Sequence, residues 1–208
     1  MTTPRVLTAF GLVCSLKPSP QPSSSELLAR QVLDALVEYG VDGTLERAVD
    51  HDIKPGVEAD LGDGDAWPAL RERMLAADVF LIATPTWMGH LSSVAQRVLE
   101  RLDAELSDTD DAGRMRTYGK VAGAVVVGNE DGAHKISADL FQALNDVGFS
   151  LAPGAVTYWN GEAMSKTDYM DYDTTPEQVA TTTAALAANA AHLARLLATY
   201  PYPPARWF

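Results

Sequence analysis

The stretch Val79-Phe80-Leu81-Ile82-Ala83-Thr84-Pro85-Thr86-Trp87-Met88-Gly89-His90 decides the fold. Its first half is a short unbroken run of β-branched and large apolar residues, the signature of a parallel strand covered by helices on both faces. The run reads as a strand from Asp78 to Thr84 and stops at a Thr-Pro turn that carries a Trp, a Met and a Gly. In open α/β sheets ligands sit just beyond the carboxyl ends of the strands. A flat aromatic, a flexible thioether and a glycine at that point suit a planar ring.

Working outward, Arg5 to Cys14, Val121 to Val127 and Ala155 to Trp159 read as further strands, with Gly43 to Val49 a more polar one at a sheet edge. Between them, apolar residues at helical spacing predict helices over Ser25 to Tyr39, Pro68 to Ala76, Ser92 to Leu106, Ala133 to Val147 and Pro176 to Thr199. His51 to Asp65, with Pro55 and several glycines, reads as a surface loop. Strand and helix thus alternate about five times, the pattern of a doubly wound parallel sheet. At 208 residues, one domain over 1–208 is the expectation.

The net charge of −12 makes nucleic acid and anionic membrane surfaces poor partners, because both need basic patches. No run approaches the roughly 18 apolar residues of a membrane span, so no membrane insertion is expected. The start of the chain lacks the pattern of a secretory signal, and Cys14 is the single cysteine. Both fit a cytoplasmic protein. The acidic stretch with Asp108, Asp110 and Asp111 does not match a calcium loop, so no metal site is expected.

Three turns follow central strands, and their ends converge on one crevice. The first, Ser15 to Ser25, joins a strand to a helix and contains Lys17, Ser23, Ser24 and three prolines. Its hydroxyls and the free amides of the helix start can surround a phosphate, or can simply cap the helix. It is neither a Walker loop nor the dinucleotide glycine fingerprint. The second, Thr84 to Leu91, offers the apolar surface of Trp87 and Met88. The third, Gly128 to Gly132, offers amides, the carboxamide of Asn129 and the carboxylates of Glu130 and Asp131.

Taken together, these turns, with Glu26-Leu27-Leu28-Ala29 after the first and Tyr158-Trp159-Asn160-Gly161-Glu162 at the last strand, resemble the flavodoxin-like NAD(P)H-dependent FMN reductase and quinone reductase family. The likeness runs from Arg5 to Gly161, and Thr84 to Ser92 is its most specific part. It implies a flavodoxin-like three-layer α/β/α sandwich on a five-stranded parallel sheet. By the same likeness Ser15, Lys17, Ser23, Ser24 and Ser25 would hold the FMN phosphate. Pro85, Thr86, Trp87, Met88 and Gly89 would line the isoalloxazine, and Asn129, Glu130, Asp131 and Gly132 would border its other edge. The chain departs from the family in having Ser24-Ser25 where Asn-Thr is common, and Trp87-Met88 where Tyr or Phe is common.

The resemblance implies an oxidoreductase that takes a hydride from NAD(P)H onto FMN and passes it to a quinone, flavin or other small acceptor. It also implies a homodimer or homotetramer. The cofactor carries such chemistry, so no catalytic side chain is assigned; His90 and His134 are the candidates to tune or protonate a reduced flavin. The alternative is a flavodoxin-type electron carrier without turnover of its own. An acidic surface suits that role, whereas a long phosphate turn with three prolines does not suit a flavodoxin.

Overall fold

The computed structural model describes residues 6–204. Five parallel strands, β1 (Leu7–Val13), β2 (Val41–Arg47), β3 (Val79–Trp87), β5 (Val121–Gly128) and β6 (Ser150–Asn160), form a sheet in the order β2-β1-β3-β5-β6. A sixth strand, β4 (His90–Leu91), folds back antiparallel on the end of β3. The helices are α1 (Ser24–Val37), α2 (Trp67–Ala76), α3 (Ser93–Leu102), α4 (Ala133–Asp146) and α5 (Glu177–Thr199). The chain leaves β1 toward β2 on one side and later takes up β3 on the other, so the strand order reverses between β1 and β3. That is where a doubly wound sheet opens a crevice.

The period of two in the central strands builds both layers. Val79, Leu81 and Ala83 pack with Val121, Val125 and Val127 against α1 and α5, while Phe80 and Ile82 pack with Ala122, Ala124 and Val126 against α2, α3 and α4. This is the doubly wound sheet that the alternation of strands and helices predicts, in the flavodoxin-like three-layer form that the resemblance implies.

Three elements differ most from expectation. β3 continues through Pro85 to Trp87, because Pro85 sits at a register position opposite Val127 where the strand can lose a donor near its end. β6 begins at Ser150 and carries Pro153-Gly154 within it. Its register against β5 shifts between Ala122 and Ala124, and Gly154 lies at φ +68. α3 stops at Leu102 and continues only as a short 3-10 turn, Asp103–Leu106.

The 51–65 loop is fixed by a buried ion pair. Arg101 reaches from α3 to Asp65 with bonds of 2.9 and 2.7 Å, and to the carbonyls of Lys54 and Glu58; both charged side chains are fully buried. The Arg101 hydrogen bonds outweigh the effect of burial and hold the Asp65 carboxyl well below the ordinary carboxylate range.

Candidate functional site

The three predicted turns meet at the carboxyl end of the sheet, and the contacts between them are specific. Ser92 ties the first to the second. Its hydroxyl donates to the Cys14 carbonyl (2.7 Å) at the end of β1 and accepts the Ala95 N–H as the cap of α3, while its N–H donates to Thr84 Oγ1 (3.0 Å) at the end of β3. Ser92 is buried, so these bonds close the floor of the crevice.

In the first turn, Ser23 caps α1 by accepting the Glu26 N–H. Ser24 accepts the Met170 N–H at 3.3 Å, and the Ser15 hydroxyl donates to the Lys17 carbonyl at 2.8 Å. A hydroxyl has one donor and two acceptor positions, so Ser23 and Ser24 each keep their O–H for a ligand. Ser25 is buried at the helix start, and the N–H groups of Ser24 and Ser25 lie in the first turn, where a helix has no acceptor of its own. Lys17 is exposed.

Arg47, at the end of β2, is a residue that sequence patterning does not single out. Its guanidinium donates to the carbonyls of Lys17 and Pro18 (3.0 Å each) and pairs with Glu26. Burial pushes the Glu26 carboxyl up, but the hydrogen bonds from Arg47 and Arg30 prevail and hold it below its usual range. Arg47 thus shapes the turn while its charge is balanced inside it. Burial pushes the neighbouring Cys14 thiol far up, so this cysteine is an inert part of the core.

The second turn is a hairpin: Thr86 faces Leu91 and Trp87 faces His90, with Met88 (φ +50) and Gly89 (φ +72) as the two turn residues. Both positions have positive φ, the geometry of the tight hairpin turn that matches strand twist. Trp87 and Met88 are 52% and 86% exposed, so neither belongs to the core. The third turn grips this hairpin, because Met88 N–H donates to Glu130 Oε1 and a Cβ on Gly132 would lie 2.9 Å from Gly89 Cα. A Cβ on Gly128 would lie 2.5 Å from Thr86 Cβ. Thr86 Oγ1, between these glycines, is buried with no hydrogen-bond partner among the described residues.

Asn129 donates to the Ser165 carbonyl at 3.3 Å, and Asp131 is exposed. His134 meets the Tyr158 hydroxyl at 2.9 Å, edge to face, and His90 is exposed at the hairpin. A groove of about 1210 Å³ lies under Tyr118, Phe149 and Tyr202 near the amino ends of β5 and β6, and none of its lining residues belongs to the three turns. Among the described residues no helix is long and apolar enough to cross a membrane, and no cluster of His, Cys, Asp and Glu is placed to hold a metal ion.

The residues present fit a flavin phosphate. Hydroxyl and amide donors stand at the start of α1 with Lys17 in the same turn, a buried hydroxyl with no partner among the described residues stands at Thr86, and the lack of a Cβ at Gly128 and Gly132 lets the third turn close directly on Thr86 and the hairpin. The fold and this site define a flavodoxin-like protein. The family model for NADPH-dependent FMN reductases matches residues 8–163, and the chain belongs to that family.

Two curated relatives and two solved structures sharpen the comparison. The chain is 31% identical over 210 residues to the 8-demethyl-8-aminoriboflavin-5'-phosphate synthase of Streptomyces davaonensis, covering 94% of this chain and 80% of that protein. It superposes with a TM-score of 0.85 and 31% identity on a structure of RosB with a bound 8-demethyl-8-formylriboflavin-5'-phosphate intermediate, over 94% of this chain and 82% of that one. It is also 36% identical over 169 residues to a Mycobacterium bovis protein named as the divalent metal cation transporter MntH. That match covers 79% of this chain and only 25% of the mycobacterial protein. An archaeal flavodoxin superposes at a TM-score of 0.58 with 9% identity, covering 91% of this chain and 99% of that one; it shares the fold.

Proposed function

We propose that the chain binds FMN across these three turns and uses it to carry a hydride from NAD(P)H to a quinone, a flavin or another small acceptor. The observation that supports this reading is the start of α1, where Ser23 and Ser24 each keep an O–H to donate beside first-turn amides at the positive end of the helix dipole. When bound, FMN would supply the hydride chemistry. The chain's own part is to hold the phosphate with Ser15, Ser23, Ser24, Ser25 and Lys17. Pro85, Thr86, Trp87, Met88 and Gly89 would flank the ring, and Asn129, Glu130, Asp131 and Gly132 would border its far edge. A homodimer or homotetramer in the cytoplasm belongs to this proposal, as does a single domain over 1–208.

The test is a pair of measurements on protein stripped of flavin. A ligand that binds only the native state at a hundredfold excess over Kd stabilises it by about 2.7 kcal/mol. For a chain of this size that is a rise in Tm of about 5 to 11 °C with FMN. NAD(P)H oxidation by the reloaded protein with a quinone then separates an enzyme from an electron carrier, which would stay yellow without turnover. No shift with saturating FMN overturns the reading.

A second reading is favoured by the 31% identity to an enzyme named for making a modified riboflavin phosphate. Here the flavin phosphate would be the reactant held in the same crevice. Consumption of stoichiometric FMN to a product with a changed absorption spectrum would decide for it.

A further inference from the structure

The segment from Gly161 to Thr175, between β6 and α5, runs over the carboxyl end of the sheet and is tied to two of the three turns. Gly161 N–H donates to the Gly128 carbonyl at 2.8 Å, and Asn129 Nδ2 donates to the Ser165 carbonyl at 3.3 Å, which fastens its first half to the third turn. Its second half is fastened to α1. Tyr169 is buried against Trp159 and donates to Gln31 Oε1 at 2.6 Å, while Gln31 Nε2 donates to Thr175 Oγ1 at 3.0 Å. Between these anchors the Met170 N–H donates to Ser24 Oγ, and that bond is long, at 3.3 Å. Residues 162–164, Lys166 and Thr167 are exposed, and Met164 takes a left-handed backbone at φ +68.

We propose that Ser24 is a positioning residue that relays occupancy of the phosphate position to this strap, closing residues 161–172 over the crevice when a phosphate is bound. This rests on the reading that the first turn holds a flavin phosphate. Ser24 Oγ already accepts from the strap, and its one O–H is the group left to donate. An anion that takes that O–H makes the oxygen a stronger acceptor, because hydrogen bonds in a chain polarise one another. The Met170 bond therefore tightens, and with it the strap. Riboflavin, which has no phosphate, leaves the relay untouched. The strap then distinguishes phosphorylated from unphosphorylated flavin by closure as well as by affinity, and forms the wall nearest α1 against which a second molecule must fit.

The experiment uses the full chain, free of flavin, then with FMN or riboflavin at matched fractional occupancy set by flavin fluorescence. It reads trypsin cleavage after Lys166 and hydrogen exchange of the Met170 amide. FMN is expected to slow both by about threefold or more, the scale of a cooperatively strengthened bond between neutral groups; riboflavin is expected to leave both at the rates of the free protein. Ser24→Ala should abolish the difference between the two flavins, and Ser24→Thr, which keeps the hydroxyl, should retain it. Equal protection by both flavins, or FMN-specific protection that survives in Ser24→Ala, overturns the relay while leaving the FMN site intact. If FMN binds no more tightly than riboflavin to the wild type, the phosphate reading and the relay fall together.

Discussion

The backbone N–H of Met88 donates to the carboxylate of Glu130 at 2.6 Å, across 42 residues of sequence. One loop thereby fixes the turn of another. Because Met88 sits at φ +50, where a side chain with a Cβ is disfavoured, the hairpin tip holds a strained residue that packing does not reward: its side chain is 86% exposed.

Replacing Met88 with Asn, which tolerates the left-handed region, should therefore stabilise the fold by about 0.5 to 1 kcal/mol. Tm should rise by about 1 to 4 °C. On the proposed placement of the ring beside the thioether, the same change should weaken FMN. Thermal melts and a fluorescence titration read the two effects, and a lowered Tm would mean that Met88 packs in the free protein.

For the phosphate, Ser23→Ala combined with Ser25→Ala should reduce FMN affinity by about a hundredfold or more and riboflavin affinity far less. Because Ser23 caps α1, the fold should also lose about 1 kcal/mol. Equal weakening of both flavins would move the phosphate to another part of the crevice.

Acid should loosen the first turn through Glu26. Arg47 and Arg30 hold its carboxyl below the ordinary range, so the unfolded chain binds the proton more tightly than the folded one. The stability this gives is complete above the ordinary pKa of about 4.3 and is lost as pH falls through the lower, folded value. Melts of the wild type should fall more steeply than those of Glu26→Gln below about pH 4.3, and parallel curves would show that the pair contributes nothing.

Asp65→Ala should be among the most damaging single changes far from the site. It leaves the Arg101 guanidinium buried without its carboxylate, a loss of about 3 to 5 kcal/mol. Asp65→Leu with Arg101→Met removes both charges and should recover most of that stability in urea titrations; failure to recover would give the carbonyl contacts of Lys54 and Glu58 the larger share.

The central strands were legible because burial on both faces leaves no position for a polar residue between Val79 and Ala83 or between Val121 and Val127. The edge strand β2 is polar at Asp42, Thr44 and Glu46, so its start at Val41 left little trace. Pro85 and Pro153 hid the strand lengths, since a proline normally ends a ladder and here stands where one donor can be missing. The turns could be placed because each follows a strand. Their partners could not: Arg47 against Glu26, Glu130 against the Met88 N–H and the Met170 N–H against Ser24 join groups 21, 42 and 146 positions apart, and such pairs follow no period. The Thr86 hydroxyl stands out only when its burial and its lack of a hydrogen-bond partner among the described residues are seen together.

The balance of Arg47 by Glu26 has a kinetic consequence. A phosphate dianion approaching the first turn meets hydroxyls, amides and the exposed Lys17, on a chain whose net charge is −12. At long range the protein repels the ligand proposed for that turn. Raising ionic strength from about 10 to 150 mM shortens the reach of that repulsion from about 30 to 8 Å. FMN should then associate faster as salt is added, opposite to the behaviour of a site lined with lysine and arginine, while its rate of departure stays nearly constant.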